Sequence, residues 1–126
     1  MAVIQWNCRS IRKQLNSLNT LVHIVKPIAI CLQETWLLDA TNIQNIKETF
    51  DKYNLYFKNR TTPNGGVGLM ILKTIPQVPT NLNTHLEAIA FNIKYKLKRI
   101  SICSLYLPPS KTFTVNALEK LDEQLT

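Results

Sequence analysis

A chain of 126 residues suffices for one domain with one core but not for a large α/β enzyme, and a hydrophobic content of 45% fits a globular protein and argues against disorder. A formal net charge of +7 and a pI near 9.5 point to an anionic partner, nucleic acid ahead of a membrane surface. The excess is spread out, eight Lys and Arg against four acids in residues 1–63 and seven against four in residues 64–126, so no basic tail carries it.

Three cysteines, Cys8, Cys31 and Cys103, lie far apart without metal-type spacing. They read as reduced thiols of an intracellular protein. No charged segment leads into an apolar stretch at the start, which argues against a signal peptide, and no apolar run approaches the length of a membrane span. The expectation is a soluble, intracellular chain without membrane partners.

In chain order, strands and helices alternate. Residues 2–6 are a short apolar segment that suits an inner strand, ended by Asn7. Ser10 is placed to cap a helix on which Ile11, Leu15, Leu18, Val22 and Val25 recur at spacings of four, three, four and three, with Pro27 as the stop. Within residues 28–38 a continuous apolar run is closed by Glu34 and then Trp36, and its first part, 28–33, suits a strand buried on both faces. A strand–helix–strand unit predicts parallel pairing through a right-handed crossover. Asn7 and Glu34 are thereby brought to the same end of neighbouring strands, where open α/β sheets place their ligands. By itself Glu34 also fits a plain strand-end glutamate reaching solvent.

Thr41 with Gln44 predicts a capping box for a short helix through Phe50. A strand over 53–58, the turn signal Thr61-Thr62-Pro63-Asn64-Gly65-Gly66 and a strand over 67–73 follow. The glycines read as tight turning; no Walker lysine or dinucleotide fingerprint accompanies them. Pro76 and Pro79 make the next stretch irregular or an edge. Residues 87–95 and 98–107 read as two strands joined by a tight basic turn with Lys94, Lys96, Lys98 and Arg99 around it, either a solvated hairpin end or a phosphate contact. Tyr106 precedes Pro108-Pro109, which stop pairing and leave its hydroxyl free for water or a ligand. A last amphipathic helix over 114–125 carries Leu118, Leu121 and Leu125 on one face.

Four stretches in this order, Ile4-Gln5-Trp6-Asn7, Ile30-Cys31-Leu32-Gln33-Glu34-Thr35-Trp36, Asn64-Gly65-Gly66-Val67-Gly68 and Leu105-Tyr106-Leu107-Pro108-Pro109-Ser110, carry a resemblance. Together the sequence resembles the amino-terminal half of the endonuclease/exonuclease/phosphatase superfamily. Its wording is most similar to the apurinic-endonuclease-like domain that precedes the reverse transcriptase of non-LTR (LINE, Jockey-like) retrotransposons. The resemblance implies an α/β fold, the amino-terminal half of a four-layer sandwich with a mixed sheet and flanking helices, the second half being absent. It also implies a magnesium-dependent phosphodiesterase, with manganese as the alternative metal, that nicks DNA to prime reverse transcription.

By the same resemblance Glu34 matches the metal-binding glutamate, Asn7 the asparagine that orders the metal and phosphate site, and Tyr106 the tyrosine that contacts phosphate. A hard cation that keeps several waters suits one carboxylate with a neutral amide nearby. Gln33 and Arg9 lie close in sequence and receive no role. The family's Asp-x-Asn pair and closing Ser-Asp-His signature do not occur in these residues, and neither His23 nor His85 follows Ser-Asp. The chain therefore reads as a partial endonuclease domain over 1–126 without a general base for water, and inactive by itself. The alternatives are a non-catalytic truncated remnant and an unrelated basic α/β nucleic-acid-binding module. A further expectation is an exposed apolar patch made of Ile89, Phe91, Ile93, Ile100, Ile102 and Leu105, with aggregation or loose packing as its consequence.

Overall fold

β1 (Val3–Asn7) and β2 (Ala29–Gln33) pair in parallel with Asn7 opposite Gln33, and α1 (Leu15–Val25) is the crossover between them. They belong to a computed structural model that describes residues 1–38, 41–60, 64–108 and 114–125. α2 (Gln44–Thr49) follows, then the antiparallel hairpin of β3 (Tyr53–Lys58) and β4 (Val67–Leu72). Because β4 also pairs antiparallel with β2, the first sheet is mixed, in the order β1-β2-β4-β3. Three further strands, β5 (Gln77–Pro79), β6 (Glu87–Tyr95) and β7 (Lys98–Tyr106), form a second, antiparallel sheet in sequential order, with β5, between Pro76 and Pro79, at an edge as its prolines require. α3 (Val115–Leu125) closes the described chain.

All five residues of β2 are buried, and its four apolar ones divide between two cores. Ile30 and Leu32 join Met70, Tyr53, Leu18, Val22, Ile46 and Phe50 beneath the first two helices. Ala29 and Cys31 join Leu69, Ile71, Phe91, Ile93 and Ile102 between the sheets, where Tyr56 and Phe91 stack at 4.0 Å between ring centroids. A third cluster of Leu86, Ala88 and Leu121, with Leu118 and Leu125 against it, seats the amphipathic face of α3 on the outside of the second sheet. The layers are thus helix, sheet, sheet, helix.

This layering corrects several expectations. Phe91, Ile93 and Ile102 are buried and Ile89 and Ile100 pack beside them, because they face the first sheet; Leu105 turns to α3. The expected exposed patch does not form. β1 is an edge strand and not an inner one, and the second sheet lies over β2, β4 and β3, which leaves Val3, Gln5 and Asn7 exposed. Ser10 does not cap α1: its N–H bonds Glu34 O and that of Ile11 bonds Thr35 O, so the chain stays laddered to the next loop and turns once more before the helix starts after Gln14. Its hydroxyl accepts instead from Lys13 N–H at 3.4 Å, within that turn. Val25, at the end of the predicted stripe, is exposed. The Thr41–Gln44 capping box is replaced by Asn42, whose side chain accepts from Gln44 N–H, while the Thr41 hydroxyl accepts from Leu38 N–H. Of the predicted turn and the closing motif, Thr61, Thr62, Pro63, Pro109 and Ser110 lie outside the described residues.

Candidate functional site

Parallel pairing of β1 with β2 ends both strands on one rim, and three loops are then stitched together there by backbone hydrogen bonds. Cys8 N–H bonds Gln33 O, Ser10 N–H bonds Glu34 O, Thr35 N–H bonds Gly66 O and Trp36 N–H bonds Gly65 O, at 2.9 to 3.3 Å. The stitching holds Arg9, Ser10, Glu34, Trp36, Asn64, Gly65 and Gly66 at positive φ, between 43° and 87°. For the five that carry side chains this is a sparsely populated conformation, and such strain persists only where the surroundings over-determine it.

Glu34 projects from this rim into a cavity of about 370 Å³ lined by Arg9, Trp36, Arg60, Asn64, Gly65, Tyr106 and Pro108. Its carboxylate is 16% exposed. Oε1 accepts the Tyr106 hydroxyl at 2.8 Å, and Oε2 lies 3.7 Å from Nε of the largely exposed Arg9. Burial, then the hydrogen bond to Glu34 and its charge, raise the Tyr106 pKa above the ordinary phenol value, while Arg60 pulls the other way. The phenol therefore stays protonated and donates.

Arg60 and Glu87 are participants that the sequence reading did not single out. Glu87, at the head of β6, receives Nε and Nη2 of Arg60 at 2.9 and 2.8 Å, and its Oε1 also accepts Gly66 N–H at 2.7 Å. That bidentate bond raises the Arg60 pKa further. The guanidinium is 5.9 Å from the Tyr106 ring centroid and sits against Gly65, where a Cβ would come within 2.2 Å of it. One acid thus ties the glycine turn, the arginine and, through it, the tyrosine into a unit. No local pattern links positions 60 and 87; a lone acid heading an apolar strand was the one available signal.

Asn7 stands at the end of β1, exposed, on the face shared with Gln5 and Gln33; it is on the same rim but does not line the cavity. Gln33 turns inward, donating to Ser104 Oγ at 3.0 Å and accepting from the Gln5 amide, which makes it part of the sheet interface. Arg9, given no role from sequence, is at the site. The hydroxyl of the fully buried Thr35 and the indole N–H of Trp36 have no hydrogen-bond partner among the described residues, and Lys13 Nζ lies 5.9 Å from the Trp36 ring. Among the described residues no three His, Cys, Asp or Glu side chains cluster as a metal cage would require. No described helix is long and apolar enough to cross a membrane.

A mixed sheet packed on an antiparallel sheet, with helices outside, is the α/β fold of endonuclease/exonuclease/phosphatase proteins. No protein-family model and no curated protein matches the sequence. Among solved structures, the endonuclease domain of TRAS1, a telomere-specific non-LTR retrotransposon, superposes with a TM-score of 0.71 at 14% identity, over 96% of this chain and 52% of that one. An AP endonuclease from Archaeoglobus fulgidus gives 0.61 at 20% identity over 97% and 46%. An endonuclease/exonuclease/phosphatase family protein from Leptotrichia buccalis gives 0.66 at 16% identity over 98% and 62%. The chain therefore spans about half the length of the solved structures it matches.

Proposed function

We propose that this chain carries the amino-terminal part of the active site of a divalent-metal-dependent phosphodiesterase that acts on DNA, of the kind retrotransposons use to nick their target. The observation that carries this reading is the Tyr106–Glu34 hydrogen bond on a cavity rim that also bears Arg9 and Arg60. Two cations and a phenol suit a phosphate group, whereas a carboxylate in their midst repels one unless a cation lies between them. Glu34 with Asn7 at the same strand end fits magnesium, which takes oxygen ligands, keeps several waters and often uses a single protein carboxylate with substrate phosphate. When bound, such an ion would polarise a phosphoryl oxygen and stabilise charge on the leaving oxygen. The chain's own residues have separate tasks. Glu34 and Asn7 would hold the ion, Tyr106 orients the Glu34 carboxylate and would turn its one hydroxyl proton to phosphate once the ion takes the carboxylate, and Arg9 adds positive charge at the entrance.

Neither an Asp-x-Asn pair nor Ser-Asp-His occurs in the 126 residues, so we assign none of the described side chains to activating water. These residues by themselves are expected to bind metal and DNA without cleaving. The test is manganese binding followed by electron paramagnetic resonance, together with nicking of supercoiled plasmid in magnesium. Manganese bound by the wild type and lost in Glu34→Gln, without nicking, supports the reading; equal binding by both proteins sinks it. Robust nicking abolished by Glu34→Ala would instead show that the chain is catalytically sufficient. Coding sequence for a reverse transcriptase downstream in the same frame is the test of the retrotransposon assignment.

A further inference from the structure

The end of the molecule opposite the Glu34 rim is strongly basic. β7 runs from Lys98 to Tyr106, so its two ends lie roughly 25–30 Å apart. Met1, Tyr95, Lys96, Lys98 and Ile100 line one shallow cavity at the far end. Lys26 follows α1 there, and Lys73 N–H bonds Lys52 O where β3 and β4 begin and end. Lys26, Lys52, Lys73, Lys94, Lys96, Lys98 and Arg99 are all exposed, seven of the fifteen Lys and Arg. Asp51 is exposed beside Lys52, and α3, with Glu119, Asp122 and Glu123, ends against Ser101. Even so, among the described residues no salt bridge joins an acid to any of the seven. At the Glu34 rim, by contrast, Arg9 and Arg60 each face a carboxylate.

A second observation concerns the tip between β6 and β7. Lys96 and Leu97 both have positive φ, 48° and 67°, the conformation of a two-residue hairpin turn that Asn-Gly or Asp-Gly fills without steric cost. Here a lysine and a leucine fill it, and Leu97 is 91% exposed, the most exposed large hydrophobic residue described. Neither core packing nor turn chemistry accounts for a leucine at that position. An apolar side chain projecting between cations is the arrangement by which proteins enter a groove or wedge a base step while lysines hold the flanking phosphates.

We propose that the β6–β7 hairpin tip is a second, non-catalytic contact for duplex nucleic acid, with Lys96, Lys98 and Arg99 on phosphates and Leu97 in the groove. It is separate from the Glu34 rim and does not depend on that site's binding a metal. The experiment is fluorescence anisotropy of a labelled 20-base-pair duplex with the full chain in EDTA, from 50 to 200 mM salt. Paired Lys96→Glu and Lys98→Glu substitutions are expected to weaken binding about tenfold or more and to reduce the slope of log affinity against log salt by about two. Leu97→Asn, which suits the turn better, is expected to raise the melting temperature and weaken binding several-fold with the salt slope unchanged. Affinity and slope unaltered by the lysine reversals overturn the proposal, as does their impairing binding to phosphatidylserine vesicles but not to the duplex. Wild-type binding that survives the reversals but falls in Arg9→Glu would remove this second contact and leave the Glu34 site as the DNA surface.

Discussion

The Tyr106 hydroxyl donates to Glu34 Oε1 at 2.8 Å, across 72 residues of chain and from one sheet to the other. The bond joins the carboxyl ends of β2 and β7, strands whose relative position is set by the core between the sheets. It also fixes the direction in which the second carboxylate oxygen points, towards Arg9 and the cavity.

The first expectation concerns that pair. Glu34→Gln keeps the shape and removes the charge, so manganese affinity should fall at least about tenfold, which corresponds to about 1.4 kcal/mol. Tyr106→Phe removes only the orienting donor and should cost a few-fold in affinity and about 1 kcal/mol of stability. Calorimetric titration with manganese and urea unfolding measure the two; a larger affinity loss for Tyr106→Phe than for Glu34→Gln would reverse the assigned roles.

The Arg60–Glu87 pair should matter for stability as well as for the site. Both side chains are mostly buried, at 26% and 14% exposure, and Glu87 also holds Gly66 N–H. Glu87→Gln or Arg60→Met leaves a charge without its partner and should cost about 2 kcal/mol in urea unfolding. Gly65→Ala should cost at least as much, because its φ of 64° disfavours a side chain and the new Cβ would strike the guanidinium. A Gly65→Ala protein as stable as wild type would mean that the arginine does not sit on the glycine.

Thr35 offers a change in the opposite direction. Its hydroxyl is buried without a partner among the described residues, and a Cβ on Gly66 would lie 2.4 Å from it. Thr35→Val replaces the unsatisfied oxygen by a methyl of similar size and is expected to be neutral or stabilising by up to about 1 kcal/mol. Denaturant unfolding checks this; a loss of more than about 1 kcal/mol would show that the hydroxyl has a partner in solution.

The buried thiols predict alkaline instability. Burial pushes Cys8 and Cys31 each up to about 11 from 9.0. The unfolded chain therefore releases these protons first, so the stability they contribute is complete below pH 9 and is lost as pH rises from 9 towards 11. The loss should be on the order of 2 kcal/mol per thiol. Urea unfolding at pH 8, 9, 10 and 11 measures it, and Cys31→Ala should flatten the profile. A wild-type profile flat over this range would contradict the burial of both thiols.

Much of the first sheet was legible because local patterns sufficed. The run at 28–33 had no polar interruption before Gln33 and suited a strand covered on both faces; with the helical stripe before it, a parallel crossover followed, and so did the shared end of Asn7 and Glu34. Tyr106 was legible as a strand terminus. What covers β2 was not. Alternation in β6 marks Ile89, Phe91 and Ile93 as one face but is silent on whether that face meets solvent, a missing segment or another sheet, and the packing on Leu69 and Ile71 decided it. Ser10 and Thr41 looked like helix caps by local chemistry, yet backbone bonds to a distant loop and the neighbouring Asn42 took those positions.

By itself, then, the sequence determined which residues form strands, which ends carry Asn7, Glu34 and Tyr106, and that the chain is basic, since periodicity, turn residues and charge are local properties. Only the tertiary structure decided that Glu34 meets Tyr106, that Arg60 is bound to Glu87 above the glycine turn, and that seven cations gather at the far pole. Those relationships depend on how two sheets stack, and the stacking is set by side chains distant in sequence, such as Ala29, Leu69, Phe91 and Ile102, competing for one apolar interior.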